Sequence, residues 1–239
     1  DVLMSLGKSL GKTSFLDYIN NFGLGKKTGI DLPGEASGAV FTENTMGPVQ
    51  LATSSFGQSQ TVTMVQMAAA FSAVINGGTY YQPHVVKEIT TEAGAVVSSN
   101  DNTLVRRVIT EETSKSIREY LYKTVSDEDG TASPARVKGY DVGGKTGTAE
   151  KQPRGRGNYL VSFIGCTPAD KPEVVIYVII DEPYVEDQAH STYATEFASD
   201  VMKDVLPFLG IYPDTSKANQ KKNKTSKSKI KLPSTKDGR

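Results

Sequence analysis

Between Gly143 and Ile180 lie three strand-length segments joined by connections of fewer than ten residues. They are Gly143 to Glu150, Tyr159 to Cys166 and Val174 to Ile180. A parallel pair needs a crossover of a dozen or more residues. The three are therefore predicted to form an antiparallel meander. The third reads Val-Val-Ile-Tyr-Val-Ile-Ile without alternation, which predicts burial on both faces. A sheet of this kind, set among helical patterns, gives an α+β fold.

The first of these strands carries chemistry. Side chains alternate along a strand, so Lys145 and Gly147 leave one face and Thr146 and Thr148 the other. Glycine weakens a strand and is placed where a backbone or a ligand comes close. That closeness is expected on the side of Gly143, Lys145 and Gly147. The result is a bare strand edge with one ammonium and two hydroxyls. It suits an extended peptide that ends in a carboxylate. Taken alone, Lys-Thr-Gly reads more readily as a strand-end turn with a solvated lysine.

Helix spacing surrounds the meander. Val2, Leu3, Leu6 and Leu10 predict a helix interrupted at Gly11. Thr13 is the expected N-cap of a second, bearing Phe15, Leu16, Ile19 and Phe22 and ending at Gly23. Lys27 to Glu35 reads as a short strand stopped by Pro33-Gly34. Thr63 with Gln66 three residues on is a capping box. The helix it opens is apolar nearly all round, so it is predicted to be buried, with its methionines and Phe71 in the core. It ends at Asn76-Gly77-Gly78. Tyr80 to Ile89 and Ala95 to Val97 suggest a hairpin around Glu92-Ala93-Gly94. Thr110 is expected to cap a surface helix bearing Ile117, Leu121 and Val125. A closing helix from Ala189 to Leu209 carries Tyr193, Phe197, Val201, Val205 and Phe208 on one face.

Charge divides the 239 residues. The 27 Lys/Arg and 27 Asp/Glu cancel overall, yet Asp214 to Arg239 holds nine basic and two acidic side chains. That segment is +7 and residues 1–213 are −7. An acidic body gives no reason to expect a nucleic-acid partner. Residues 1–213 are expected to belong to the folded domain. Residues 214–239, rich in Lys, Ser, Asn and Thr, are expected to be a disordered tail or linker, open to anionic wall polymer or lipid headgroups. One cysteine, Cys166, excludes an internal disulfide and a multi-cysteine metal site. His84 and His190 lie far apart in sequence. No metal and no cofactor is expected. No apolar run approaches the roughly 18 residues that span a membrane. Asp1 falls inside a helical pattern, so the chain reads as a piece of a longer protein.

Lys145-Thr146-Gly147-Thr148-Ala149-Glu150, preceded by Gly130-Thr131-Ala132 and Val142-Gly143-Gly144, resembles the third motif of the class B penicillin-binding proteins. Other landmarks stand in matching order. They are Thr28 to Glu35, Phe56-Gly57-Gln58, Thr61-Val62-Thr63, Gln66-Met67-Ala68, Asn76-Gly77-Gly78, Pro83, Ser162 to Gly165 and Asp181-Glu182-Pro183. The resemblance spans roughly residues 1–213. It implies the transpeptidase fold shared with serine β-lactamases, an antiparallel sheet with flanking helices. Here that fold would be incomplete, without its N-terminal strands and nucleophile helix.

The family's other two motifs are Ser-x-x-Lys, which supplies nucleophile and base, and Ser-x-Asn. Asp1-Val2-Leu3-Met4 resembles the family's segment just after Ser-x-Asn, so both motifs are expected to precede this chain. Ser5-x-x-Lys8, Ser9-x-x-Lys12 and Ser98-x-Asn100 match by spacing but stand at the wrong places in the order. The resemblance implies a D,D-transpeptidase acting on stem peptides ending in D-Ala-D-Ala, and binding β-lactams as mimics of them. Lys145 and Thr148 are the implied catalytic residues, and Lys145, Thr146, Gly147 and Thr148 the implied substrate-binding set. Implied partners are the upstream half of the same domain and a lipid-II-polymerising glycosyltransferase. The implied location is the extracytoplasmic face of the bacterial plasma membrane, with the anchor upstream. The chain alone is expected to be inactive and poorly soluble. A β-lactam sensor domain, a non-catalytic scaffold and a β-lactamase remain open alternatives on the same fold.

Overall fold

The computed structural model describes residues 2–100 and 103–214. In chain order come helices α1 (Val2–Leu10), α2 (Lys12–Asn21), α3 (Pro48–Ser54) and α4 (Met64–Ile75), then strands β1 (Thr79–Tyr81), β2 (Glu88–Thr90), β3 (Val96–Ser99) and β4 (Leu104–Arg107). Helix α5 (Glu111–Ser126) and a 3₁₀ turn (Ser133–Ala135) lead into β5 (Gly143–Glu150), β6 (Tyr159–Thr167) and β7 (Val174–Asp181). Helix α6 (Thr192–Phe208) comes last. No helix among the described residues is long and apolar enough to cross a membrane.

The meander forms as expected, antiparallel in the order β5-β6-β7. Its register sets Lys145 opposite Ile164 and Ile164 opposite Tyr177. Two helical layers enclose it. On one face Phe163 packs with Ala194, Ala198, Met202 and Leu206 of α6, flanked by Ile176, Val178 and Ile180. On the other, Cys166 packs with Phe71 and Ile75 of α4 and Leu121 of α5. Burial pushes the Cys166 thiol up to about 12, so it behaves as a small apolar side chain. Each fully buried residue of Phe163's size contributes about 1.5–3 kcal/mol.

Two expectations of burial around the sheet are corrected. Strand β7 is half-buried from Val174 to Ile180 because, among the described residues, β6 is its one strand neighbour. Helix α6 turns a different face inward. Ala194, Thr195, Ala198, Ser199, Met202 and Leu206 are buried, whereas Phe197 is 57% and Phe208 89% exposed. Small side chains let the helix axis approach the sheet, and the larger apolar stripe is left outside.

Other local differences have local causes. Thr13 is not the cap of α2: Gly11, at φ +80°, makes the joint with α1, so the helix begins at Lys12. Residues 27–35 form a loop and not a strand. The Glu35 carboxylate accepts the Thr28 and Gly29 amides at 2.6 and 3.1 Å, replacing ladder partners. Helix α3, with Pro48 in its first turn, carries no periodicity long enough to read. The β2–β3 hairpin turns where expected, with the Gly94 amide donating to the Thr91 carbonyl at 2.9 Å, but the expected Tyr80–Ile89 strand is broken in two and only Glu88–Thr90 pairs across this turn. The pairing of β1 with β4 across it has no local sequence signal. Thr110 caps α5, accepting from the Thr113 amide at 3.1 Å, with Glu111 and Glu112 favourably placed in the first turn.

The capping box of α4 is reciprocal. Thr63 Oγ1 accepts the Gln66 amide at 3.1 Å, and Gln66 Oε1 accepts the Thr63 amide at 3.3 Å. Yet Gln66 is also fully buried, donating to the Lys26 and Ser37 carbonyls at 2.6 and 2.9 Å. It pins the loop after α2 to the helix. Met64 is 48% exposed, so α4 is not buried all round. The expected tail lies outside the described residues except for Asp214, whose amide donates to the Gly139 carbonyl at 2.8 Å.

Candidate active site

Strand β5 has one paired edge and one open edge. The Lys151 amide donates to the Asn158 carbonyl at 2.9 Å, in register with the β5–β6 ladder. Antiparallel pairing alternates, so the odd residues Gly143, Lys145, Gly147 and Ala149 bond β6. The even residues Gly144, Thr146 and Thr148 turn their amides and carbonyls to the open edge. Thr124 Oγ1 of α5 already donates to the Gly144 carbonyl there. The backbone groups of Thr146 and Thr148 are the ones positioned for an incoming strand.

Lys145 and Thr148 are exposed, and Thr146 and Gly147 half-buried. Lys145 leaves the face opposite Thr146, but its chain curls round the edge. Its Nζ donates to the Thr146 carbonyl at 2.9 Å and stands 3.4 Å from Thr146 Oγ1. An ammonium, a hydroxyl and a backbone edge therefore meet within one residue of each other. Strand geometry places Thr148 about 7 Å further along.

The glycines have packing reasons that the sequence did not disclose. A Cβ on Gly143 would stand 3.2 Å from the Tyr122 nitrogen, because α5 lies directly against the strand. On Gly144 it would meet the Phe163 ring at 2.4 Å, and on Gly147 the Ser162 hydroxyl at 2.5 Å. The close approaches seen at these positions are made by the protein's own groups.

Beyond β5 the basic hairpin is tied down at the far end of the edge. Lys151 pairs with Asp181 at 2.8 Å and Glu182 at 2.6 Å, and these carboxylates, Asp181 first, hold its ammonium above the usual lysine range. Glu150 accepts the Gly155 amide at 2.5 Å. Arg154 reaches Gln58 Oε1 at 3.3 Å, joining the hairpin to the Phe56-Gly57-Gln58 turn. Sequence reading missed this bridge, which spans 96 positions.

The spacing matches stand elsewhere. Ser5 and Lys8 line a hollow between α1 and α3 with Met4 and Leu51. Ser98 sits on exposed β3 opposite Ile89. A cleft of about 280 Å³ between α5 and the β6–β7 turn, lined by Lys115, Arg118, Glu119 and Asp170, lies at the opposite end of β5 from Thr148. Among the described residues no group of three or more His, Cys, Asp or Glu could hold a metal ion. His190 pairs with Asp187 at 2.9 Å on the surface.

Residues 2–203 match the family model described as the penicillin binding protein transpeptidase domain. The chain is 43% identical over 234 residues to stage V sporulation protein D of Bacillus subtilis, covering 96% of this chain and 36% of that protein. It is 31% identical over 191 residues to penicillin-binding protein PbpB of Mycolicibacterium smegmatis, covering 75% and 29%. Among solved structures, penicillin-binding protein 3 of Mycobacterium tuberculosis in complex with aztreonam superposes with a TM-score of 0.79 at 26% identity, covering 88% of this chain and 49% of that one. The chain thus spans about a third of the length of these curated relatives and about half of that solved chain.

Proposed function

Because the chain belongs to the penicillin-binding protein transpeptidase domain family, we propose that its β5 edge is the substrate-side wall of a serine D,D-transpeptidase site that cross-links peptidoglycan. The donor is a stem peptide ending in D-Ala-D-Ala, laid along β5 as an added strand. Lys145 and the Thr146 and Thr148 hydroxyls hold its terminal carboxylate. The bare Gly147 accommodates the Ser162 hydroxyl of β6 beside it. The Thr148 amide is one of two donors to the oxyanion.

The nucleophilic serine and its lysine lie outside residues 1–239, in the part of its relatives' length that this chain does not span. The serine oxygen attacks the carbonyl of the penultimate D-Ala. The C–N bond to the terminal D-Ala breaks, and the serine's proton passes through the base to the departing amine. An amine of a neighbouring strand then displaces the serine from the ester, and the proton it sheds returns to the serine oxygen through the same base. β-Lactams acylate the serine in place of the donor, which fits the aztreonam complex of the solved relative. No cofactor takes part.

The upstream half of the domain pairs with the open edge of β7 and covers the exposed face of α6. Alone, this chain is inactive. The whole protein is anchored upstream, works at the extracytoplasmic face and partners a lipid-II-polymerising glycosyltransferase.

The observation that carries this reading is the convergence of the Lys145 ammonium with the backbone of Thr146, which lies outside the β5–β6 ladder, on one strand edge. The test is the rate of acylation of the full-length protein by a fluorescent penicillin. Lys145→Ala is expected to slow it at least a hundredfold with the thermal midpoint unchanged. Acylation of Lys145→Ala at the wild-type rate would overturn the assignment.

A further inference from the structure

An added strand pairs with whatever amides and carbonyls an edge leaves open. On β5 the first such group, the Gly144 carbonyl, is occupied by the Thr124 hydroxyl, which is shared with the Leu121 carbonyl at 2.8 Å. Helix α5 also blocks the space around it. The Tyr122 nitrogen and Leu121 carbonyl carbon lie 3.2 and 3.3 Å from where a Gly143 Cβ would be. Thr124 is itself held in place. Its carbonyl accepts the Ala132 amide at 3.0 Å, and a Cβ on Gly130 would stand 2.3 Å from that oxygen. Gly130-Thr131-Ala132 thus locks the end of α5 against β5.

The next open positions are those of Thr146, with the Lys145 ammonium 2.9 Å from its carbonyl. An incoming peptide therefore finds a cation at the last reachable position and no acceptor beyond it. A chain that ended there in a carboxylate would be satisfied. A chain that continued would run into α5 and leave its own amide unpaired.

We propose that Thr124 is a specificity-determining residue that closes the strand-addition edge at Gly144, so that a donor peptide must terminate beside Lys145. The proposal rests on the transpeptidase reading for its substrate, and on the Thr124–Gly144 contact for its geometry. It explains how one open strand edge can select a chain terminus over an internal segment of the same sequence.

The test compares two thioester donors on the full-length protein, an acyl-D-alanyl-thioglycolate with a free carboxylate and the same compound extended by one glycine. In the wild type the free-carboxylate donor is expected to acylate faster by about a hundredfold or more. Thr124→Val keeps the shape and removes the hydroxyl, and is expected to lower that ratio at least tenfold. Thr124→Ser is expected to retain it. A loss of both rates with the ratio unchanged would mean a structural role only and overturn the proposal, as would an unchanged Thr124→Val. Should the wild type accept neither donor, the transpeptidase reading falls. The closure is then judged by hydrogen exchange. The Gly144 amide, on the edge that Thr124 covers, exchanging at least tenfold faster in Thr124→Val would support it, and equal exchange would overturn it.

Discussion

Replacing Thr148 by proline removes its amide proton donor from the site together with its hydroxyl. Thr148 is an even residue of β5, so its amide faces the open edge and takes no part in the ladder to β6. Proline is tolerated on an edge strand where the missing amide faces outward. The sheet should therefore lose no hydrogen bond. If the Thr148 amide donates to the oxyanion, the transition state loses one such donor, worth about 2.7–4 kcal/mol or 10²–10³ in rate. Thr148→Ala keeps the amide and deletes only the hydroxyl, separating the two contributions. The matching control is Ala149→Pro, an odd position, where a ladder bond is lost and stability falls instead. The assay pairs the second-order rate of penicillin acylation of the full-length protein with its urea midpoint. Expected are a slow but stable Thr148→Pro and a destabilised Ala149→Pro. A Thr148→Pro protein that acylates at the rate of Thr148→Ala would refute the assignment of the amide.

The same reasoning applies to Gln66. Gln66→Leu preserves volume but strips the Lys26 and Ser37 carbonyls and the Thr63 amide of their partner, at a cost of about 3–5 kcal/mol read from urea unfolding. Ser59 sits at φ +70°, a conformation that disfavours side chains, so Ser59→Gly should raise the urea midpoint by the equivalent of up to about 1 kcal/mol. The Asp31 carboxyl is held below its usual range by the Val85 and then the Val86 amide, and the Glu35 carboxyl chiefly by the Thr28 hydroxyl. Depressed carboxylates stabilise above their unfolded pKa, so their contribution should be constant from pH 7 to 5. It should fade below about pH 4 as each protonates. The Asp31→Asn, Glu35→Gln pair should flatten that acid limb of the urea midpoint. Among the described residues strand β7 has one strand neighbour, and Ile179→Lys should reduce light scattering by the isolated chain.

The features legible in the sequence were local ones. The capping box of α4 spans four residues, and the meander needs only short connections and a period. The burial of Gln66 depends on carbonyls 29 and 40 positions away, and no local pattern reveals it. The closing helix carries two candidate faces, and hydrophobicity picks the larger. Packing picks the smaller, because Ala194, Ala198 and Ser199 allow close contact with the sheet. Likewise the glycines of β5 marked a close approach correctly but not the groups that approach. Phe163, Ser162 and α5 do so, 15 or more positions away. Thr124, which closes the edge, gave no sequence signal beyond its place on an amphipathic helix.

If this chain is one wall of a split site, its nucleophile lies elsewhere in the protein. The direct measurement is to mix the chain with the upstream half of its domain, label with penicillin, and map the penicilloyl adduct by peptide mass spectrometry. The adduct is expected on a serine of the upstream half, and is expected to be lost when Lys145 of this chain is replaced by alanine. An adduct on Ser5 or Ser9, formed by the chain alone, would contradict the split site.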